Sequence, residues 1–309
     1  VRVTTIARPS RTHGITVWGP LVALWLVWGS TYVGIAVIGT SMPPLVGNGG
    51  RFLAAAALLA AALVVVGGPR VLSVTLAELR STAVMGVCLL GVGIGTVALA
   101  VRYVPSGVAA LLVAVTPLYI VLFRLRAGDR PQVFTLVGIA VGLGGLALML
   151  LPGGTVPVAG SDGDVVLWSV AILASSLCWA AFSWRSVRYA LPANPLVTTV
   201  YEMVFAGLAL LGVGALRGER LDLPAVQPDA WWAWTWLVAA SLIGYTCYTW
   251  LLGHAPLSLT STYAYVNPVV AVLLGWLVLR EALTRDVLIG LTVVVGGVAL
   301  VVTGERRRR

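Results

Sequence analysis

The sequence predicts an all-α integral membrane fold of ten transmembrane helices arranged as two inverted five-helix repeats. Three observations predict it. Apolar residues make up 59% of the chain and charged residues 10%, far below the roughly 25% charged of soluble domains. Ten apolar runs of about 20 residues, the length a helix needs to cross a hydrocarbon layer of roughly 30 Å, alternate with short loops carrying Arg, Asp, Gly or Pro. The chain also matches itself when shifted by about half its length.

In order, the runs cover Trp18 to Gly39, Gly47 to Val66, Ala83 to Val101, Gly107 to Leu125, Phe134 to Leu151, Val165 to Phe182, Val197 to Leu216, Trp231 to Leu252, Leu259 to Leu279 and Val287 to Val302. The first exceeds a signal-peptide core and nine more follow, so it reads as retained. This divides the chain into a tail at 1–17, a first repeat at 18–151, a second at 165–303 and a basic tail at 304–309.

Charge sets the orientation. All twenty basic residues are Arg. With the N-terminus inside, fourteen of them fall on the cytoplasmic side and five on the other, and Arg51 lies within a run. The bias places both termini in the cytoplasm and the protein in the cell membrane as a multi-pass chain. The arginines sit in short loops and tails beside apolar segments, so the formal charge of +9 suits lipid headgroups and not nucleic acid. Without Lys there is no Walker A loop and no lysine Schiff base. Cys88, Cys178 and Cys247 lie in apolar runs without ligand spacing, and His13 and His254 are far apart, so no metal or cofactor is expected.

A shift of 151 carries Trp28 onto Trp179, Pro44 onto Pro195, Gly93 onto Gly244, Pro105 onto Pro256 and Pro117 onto Pro268. After a one-residue gap a shift of 152 carries Asp129 onto Glu281 and Gly138 onto Gly290. Five spans are an odd number of crossings, so the second copy starts on the opposite side and is inverted. Secondary transporters bind solute at the midplane between such repeats, where helices are broken by Pro or Gly. A duplication that merely packs a bundle is the other reading.

Pro117 and Pro268 each free the carbonyl four residues earlier, at Val113 and Ala264. Thr116 and Asn267 stand beside them at equivalent positions, able to hydrogen-bond the helix or a solute. In the ninth run Thr260, Tyr263 and Asn267 share a face, whereas their counterparts Ala109, Leu112 and Thr116 are less polar. Trp25, Trp28 and Tyr32 line the first run, with Ser30 among them, and Ser175, Trp179 and Ser183 line the sixth. Such stripes serve packing, an interfacial belt or solute contact.

Arg51 and Glu202 are charges well inside runs, and charge there marks function by default. They are counterparts at 151, but inversion puts them about 9 Å deep from opposite faces, roughly 12 Å apart along the normal. That argues against a direct pair. One reading makes them two stations, Arg51 for an anionic group and Glu202 for a cationic group or a proton. The other has Arg51 snorkelling and Glu202 neutral and hydrogen-bonded. Gly138 and Gly142 form a GxxxG pair that serves close packing or a homodimer face.

The WGSTY run at Trp28 to Tyr32, Pro43-Pro44 before Arg51-Phe52, YVPSGVAALLVAVTPL at Tyr103 to Leu118 and STYAYVNPVVAVLLGWLVLRE at Ser261 to Glu281 together resemble the EamA family of the drug/metabolite transporter superfamily. The resemblance implies ten helices in two inverted repeats and export of amino acids, metabolites or toxic compounds. The family's Glu after the fourth helix corresponds to Asp129 here.

The expected function is a secondary transporter exporting a small metabolite, amino acid or drug by alternating access. Its partners are the solute and the bilayer. A nucleotide-sugar or lipid carrier is the alternative, for which the one intramembrane Arg offers little basic surface. An intramembrane enzyme would call for an HExxH, a GxSxG or paired carboxylates in the runs, and the sequence has none.

Overall fold

In lipid every backbone N–H and C=O has to be satisfied within the protein, so apolar runs of this length fold as helices. The computed structural model describes residues 14–128, 133–150, 158, 164–255, 260 and 262–306. They hold ten helical rods. These are α1 (Gly14–Ile38), α2 (Pro44–Gly67), α3 (Leu76–Ala100), α4 in two pieces (Ser106–Val113 and Thr116–Arg126), α5 (Val133–Leu150), α6 (Val165–Arg185), α7 (Pro195–Leu216), α8 (Pro228–His254), α9 (Tyr263–Leu279) and α10 (Arg285–Arg306). Among the described residues, seven rods are long and apolar enough to cross a membrane by length and composition. Residues 1–13, Asp129, most of the 151–163 connector and the last three arginines lie outside the described residues.

Helix starts depart from the apolar runs because polar caps and Pro belong to the first turn. α3 begins at Leu76, ahead of the expected Ala83, where Thr75 and Glu78 form a capping box. The Thr75 hydroxyl accepts from the Glu78 N–H and the Glu78 carboxylate accepts from the Thr75 N–H. Asp164 caps α6 through the N–H groups of Val166 and Leu167, and Asn194 caps α7 through that of Leu196. The middle of α3, Gly86–Ile94, is wound as a π-helix, which the sequence did not predict.

The packing respects the repeat. α2 lies on α7, α4 on α9 and α5 on α10, each a pair of counterparts. α1 packs on α8 and α9, just as its counterpart α6 packs on α3 and α4. Exchanging the halves therefore maps the helix pairing onto itself. The shared core gathers Ile35, Val97, Leu111, Leu112 and Leu237, while Leu26, Leu58, Leu208 and Leu277 are exposed on the outer surface. The Gly138/Gly142 pair is taken up inside the chain, because a Cβ on Gly297 of α10 would meet the Gly142 N at 2.6 Å and the Gly138 O at 2.8 Å.

Candidate functional site

Between the halves lies a cavity of about 940 Å³. Of the residues singled out from the sequence, Trp28, Arg51, Thr116, Pro117, Trp179, Glu202, Tyr263, Asn267 and Pro268 all line it. Ser30 does not. Its hydroxyl donates to the Val27 carbonyl and accepts from the indole N–H of Trp236, while the adjacent Thr31 lines the cavity instead.

The two tryptophans are seated by glycines from the opposite half. A Cβ on Gly244 of α8 would fall on the Trp28 indole nitrogen, and one on Gly93 of α3 would lie 2.8 Å from Trp179 Cε3. The shift of 151 exchanges one pair for the other. Trp28 is also the hub of an aromatic wall, its ring 5.0 Å from Tyr263, 5.4 Å from Tyr248 and 5.5 Å from Tyr245. Tyr245 and Tyr248, three residues apart on α8 and so on one face, were not picked out from the sequence. Their signal was the neighbouring Gly244, already matched to Gly93.

The prolines act differently in the two halves. Pro117 offers no N–H to Val113, and the Thr116 hydroxyl donates to that carbonyl instead at 2.6 Å. α4 breaks there, between Val113 and Thr116. Pro268 lies inside a continuous α9. With its amide turned to satisfy both ends, Asn267 donates to the carbonyls of Tyr263 and Trp25, each at 3.2 Å. The latter ties α9 to α1, as does the bond from Trp25 Nε1 to the Thr262 hydroxyl at 3.1 Å.

Arg51 is 3% exposed, its guanidinium carbon is 4.6 Å from the Phe52 ring centre, and its Nε has no acceptor. Glu202 is half-buried beside the cavity, and its backbone is pressed against Gly86 of the π-helical stretch. The α2–α7 register sets their spacing. Gly49 abuts Leu211, Gly207 abuts Leu53 and Gly214 abuts Val46, so Glu202 lies level with residue 58, seven residues or about 10 Å along the axis from Arg51. Among the described residues no ion pair joins them, and Tyr245 lines the same cavity as both. Among the described residues the cavity is thus lined by a guanidinium, a carboxyl group and an aromatic wall, together with the buried Ser176 hydroxyl, which has no hydrogen-bond partner among them.

The profile of the EamA-like transporter family matches residues 18–151 and again 166–303. The chain belongs to this family. It is 37% identical over 293 residues to the inner membrane transporter YedA of Escherichia coli, covering 94% of this chain and 92% of that one. It is 25% identical to the threonine/homoserine exporter RhtA of Salmonella typhimurium, covering 93% and 92%, and 24% identical to the transporter YoaV of Bacillus subtilis, covering 90% and 94%. A solved crystal structure superposes with a TM-score of 0.64 at 21% identity, covering 95% of this chain and 99% of the other, which establishes a shared fold. As an EamA-like protein the chain is a multi-pass membrane transporter built from two copies of one family unit.

Proposed function

We propose that this EamA-like protein is a secondary transporter that exports a small metabolite, amino acid or drug by alternating access. All ten rods span the membrane as two inverted repeats, with both termini in the cytoplasm. The observation that carries the reading is the cavity itself. It lies between the two halves and is lined by counterparts: Trp28 with Trp179, Thr116 with Asn267, Pro117 with Pro268 and Arg51 with Glu202. A site shared by two inverted halves can face either side when one half rocks against the other.

Arg51 and Glu202 serve as stations for an anionic and a cationic group of the solute, or Glu202 for a proton. Among the described residues neither has an ion-pair partner, and a charge left so inside the bundle is costly. A bound zwitterion would supply both partners. Export as the direction is supported by the exporter RhtA among the relatives.

Counterflow in proteoliposomes tests the reading, with labelled amino acids, nucleosides and cationic drugs as the panel and empty liposomes as control. Exchange of at least one compound above control is expected. A protein that is folded and inserted but exchanges none of the three classes would overturn it.

A further inference from the structure

We propose that Glu281 is a positioning residue of the transport cycle, a carboxylate from the second half that latches the N-terminus of α4 over one end of the cavity. It has to let go before the cavity opens at that end. This rests on the alternating-access reading above.

The first turn of a helix has N–H groups with no partner inside the helix and carries partial positive charge. At α4 those groups are served from across the interface. Ser106 N donates to Glu281 Oε1 at 2.6 Å and Gly107 N to Oε2 at 3.3 Å. The backbone after α9 is bent to deliver the carboxylate. Arg280 adopts φ 57°, a left-handed conformation costly for a side chain other than glycine's, and the Glu281 N–H turns back to the Gly275 carbonyl at 3.2 Å. Gly275 leaves the room, since a Cβ there would fall on Glu281 Oε2. Gly107 does the same on the other side, where a Cβ would lie 2.7 Å from Val272 Cγ2 and 2.8 Å from its Cα. α4 and α9 are thereby drawn together one turn above Ala110, the first α4 residue that lines the cavity.

A second carboxylate repeats the device at the same end of the bundle. Glu219, just past α7, accepts from the N–H groups of Leu45 and Val46 at the start of α2, both at 3.0 Å. The indole of Trp234 donates to the Gly47 carbonyl at 3.0 Å, and the Gln227 N–H to the Ser41 hydroxyl at 3.1 Å. At the opposite end the cross-half bonds between the described residues include a phenol contact, Tyr201 to the Leu72 carbonyl at 2.7 Å, and the indole of Trp25 to the Thr262 hydroxyl at the start of α9, and neither uses a carboxylate. α7, the counterpart of α2, is capped there by its own Asn194. A local cap travels with its helix when one half rocks against the other, whereas a cap supplied across the interface must break.

The test is side-specific labelling. The three native cysteines are replaced by serine, Ala110→Cys is introduced, and its reaction with a membrane-impermeant maleimide is timed from each face of the vesicle. Glu281→Gln is expected to raise labelling from the latched face about tenfold, the loss of one charge-assisted hydrogen bond, and Glu281→Asp less. Glu219→Gln, at a separate helix start, is expected to shift labelling the same way and is read alone if Glu281→Gln fails to fold. Exchange kinetics in the same vesicles should show Glu281→Gln changing the maximal rate more than the half-saturating solute concentration. Folded variants whose labelling from the latched face stays at the wild-type rate would overturn the latch. A labelling shift in vesicles that exchange no solute would keep the latch and overturn the transport reading.

Discussion

Replacing Arg51 with Met separates a residue kept for transport from one kept for folding. The methionine fills similar length without charge. The guanidinium is buried, no carboxylate reaches it among the described residues, and its Nε lacks an acceptor. A lone Arg inside the membrane costs about 2.5 to 3.5 kcal/mol. The Phe52 ring at 4.6 Å returns about 1 kcal/mol as a cation–π contact. The net burden is about 2 kcal/mol, so Arg51→Met should be the more stable protein. At roughly 2 °C or more per kcal/mol, the midpoint of thermal unfolding in detergent should rise by roughly 4 °C. Counterflow of any solute that carries a carboxylate should fall together with that rise. A midpoint that drops by several degrees would show that Arg51 holds the fold together, and its assignment as an anion station would fail.

Four further outcomes follow from the same geometry. Glu202→Gln should make exchange insensitive to external pH if Glu202 carries a proton, and should abolish exchange of solutes bearing an ammonium group if it is a cation station; a variant with wild-type pH dependence and wild-type selectivity refutes both roles. Gly244→Ala should cost about 1 to 3 kcal/mol by overpacking and displace Trp28, so it should lower exchange far more than Gly144→Ala, where a Cβ meets nothing within 4 Å. Thr116→Val should cost about 1 to 3 kcal/mol by orphaning the Val113 carbonyl, measured by chemical or thermal unfolding. Adding Pro117→Ala should recover much of that loss, because it restores the backbone N–H for which the Thr116 hydroxyl substitutes, and additive costs would refute the substitution.

Much of this was legible in the sequence because two physical rules leave little freedom. Lipid demands long apolar helices, and a duplicated unit repeats its punctuation, so Trp28, Pro117 and Arg51 could be matched to Trp179, Pro268 and Glu202 before any contact was known. All six line the cavity. What stayed hidden depends on partners far away in the chain. The carboxylates of Glu219 and Glu281 look like connector residues, yet they cap helices 174 residues or so distant. Tyr245 and Tyr248 read as part of an aromatic-rich apolar run until Trp28 is seen to fill the gap above Gly244. The π-helical stretch of α3 left no periodicity in the sequence to read, and the close approach of its first residue, Gly86, to the backbone of Glu202 is likewise a contact between distant parts of the chain.

The two halves share a frame but not a chemistry, and that difference bears on mechanism. Where the counterparts are Trp28 and Trp179, or Gly93 and Gly244, identity is kept because each tryptophan needs the other half's glycine. Elsewhere in the lining identity is lost: Arg51 answers to Glu202, Thr116 answers to Asn267, and Tyr263 has the buried Leu112 as its counterpart. A symmetric frame allows the inward- and outward-facing states to be near mirror images and so close in energy, as alternating access needs. An asymmetric lining lets one solute bind in one orientation in both. One of the cross-half caps falls on the asymmetric side as well, since Glu219 has Gly68 as its counterpart, at φ 74°, whereas Glu281 is matched by the carboxylate of Asp129, outside the described residues. One end of the bundle is therefore held by a carboxylate that the other end cannot reproduce at that position, and the energy of opening should differ between the two faces even in the absence of solute.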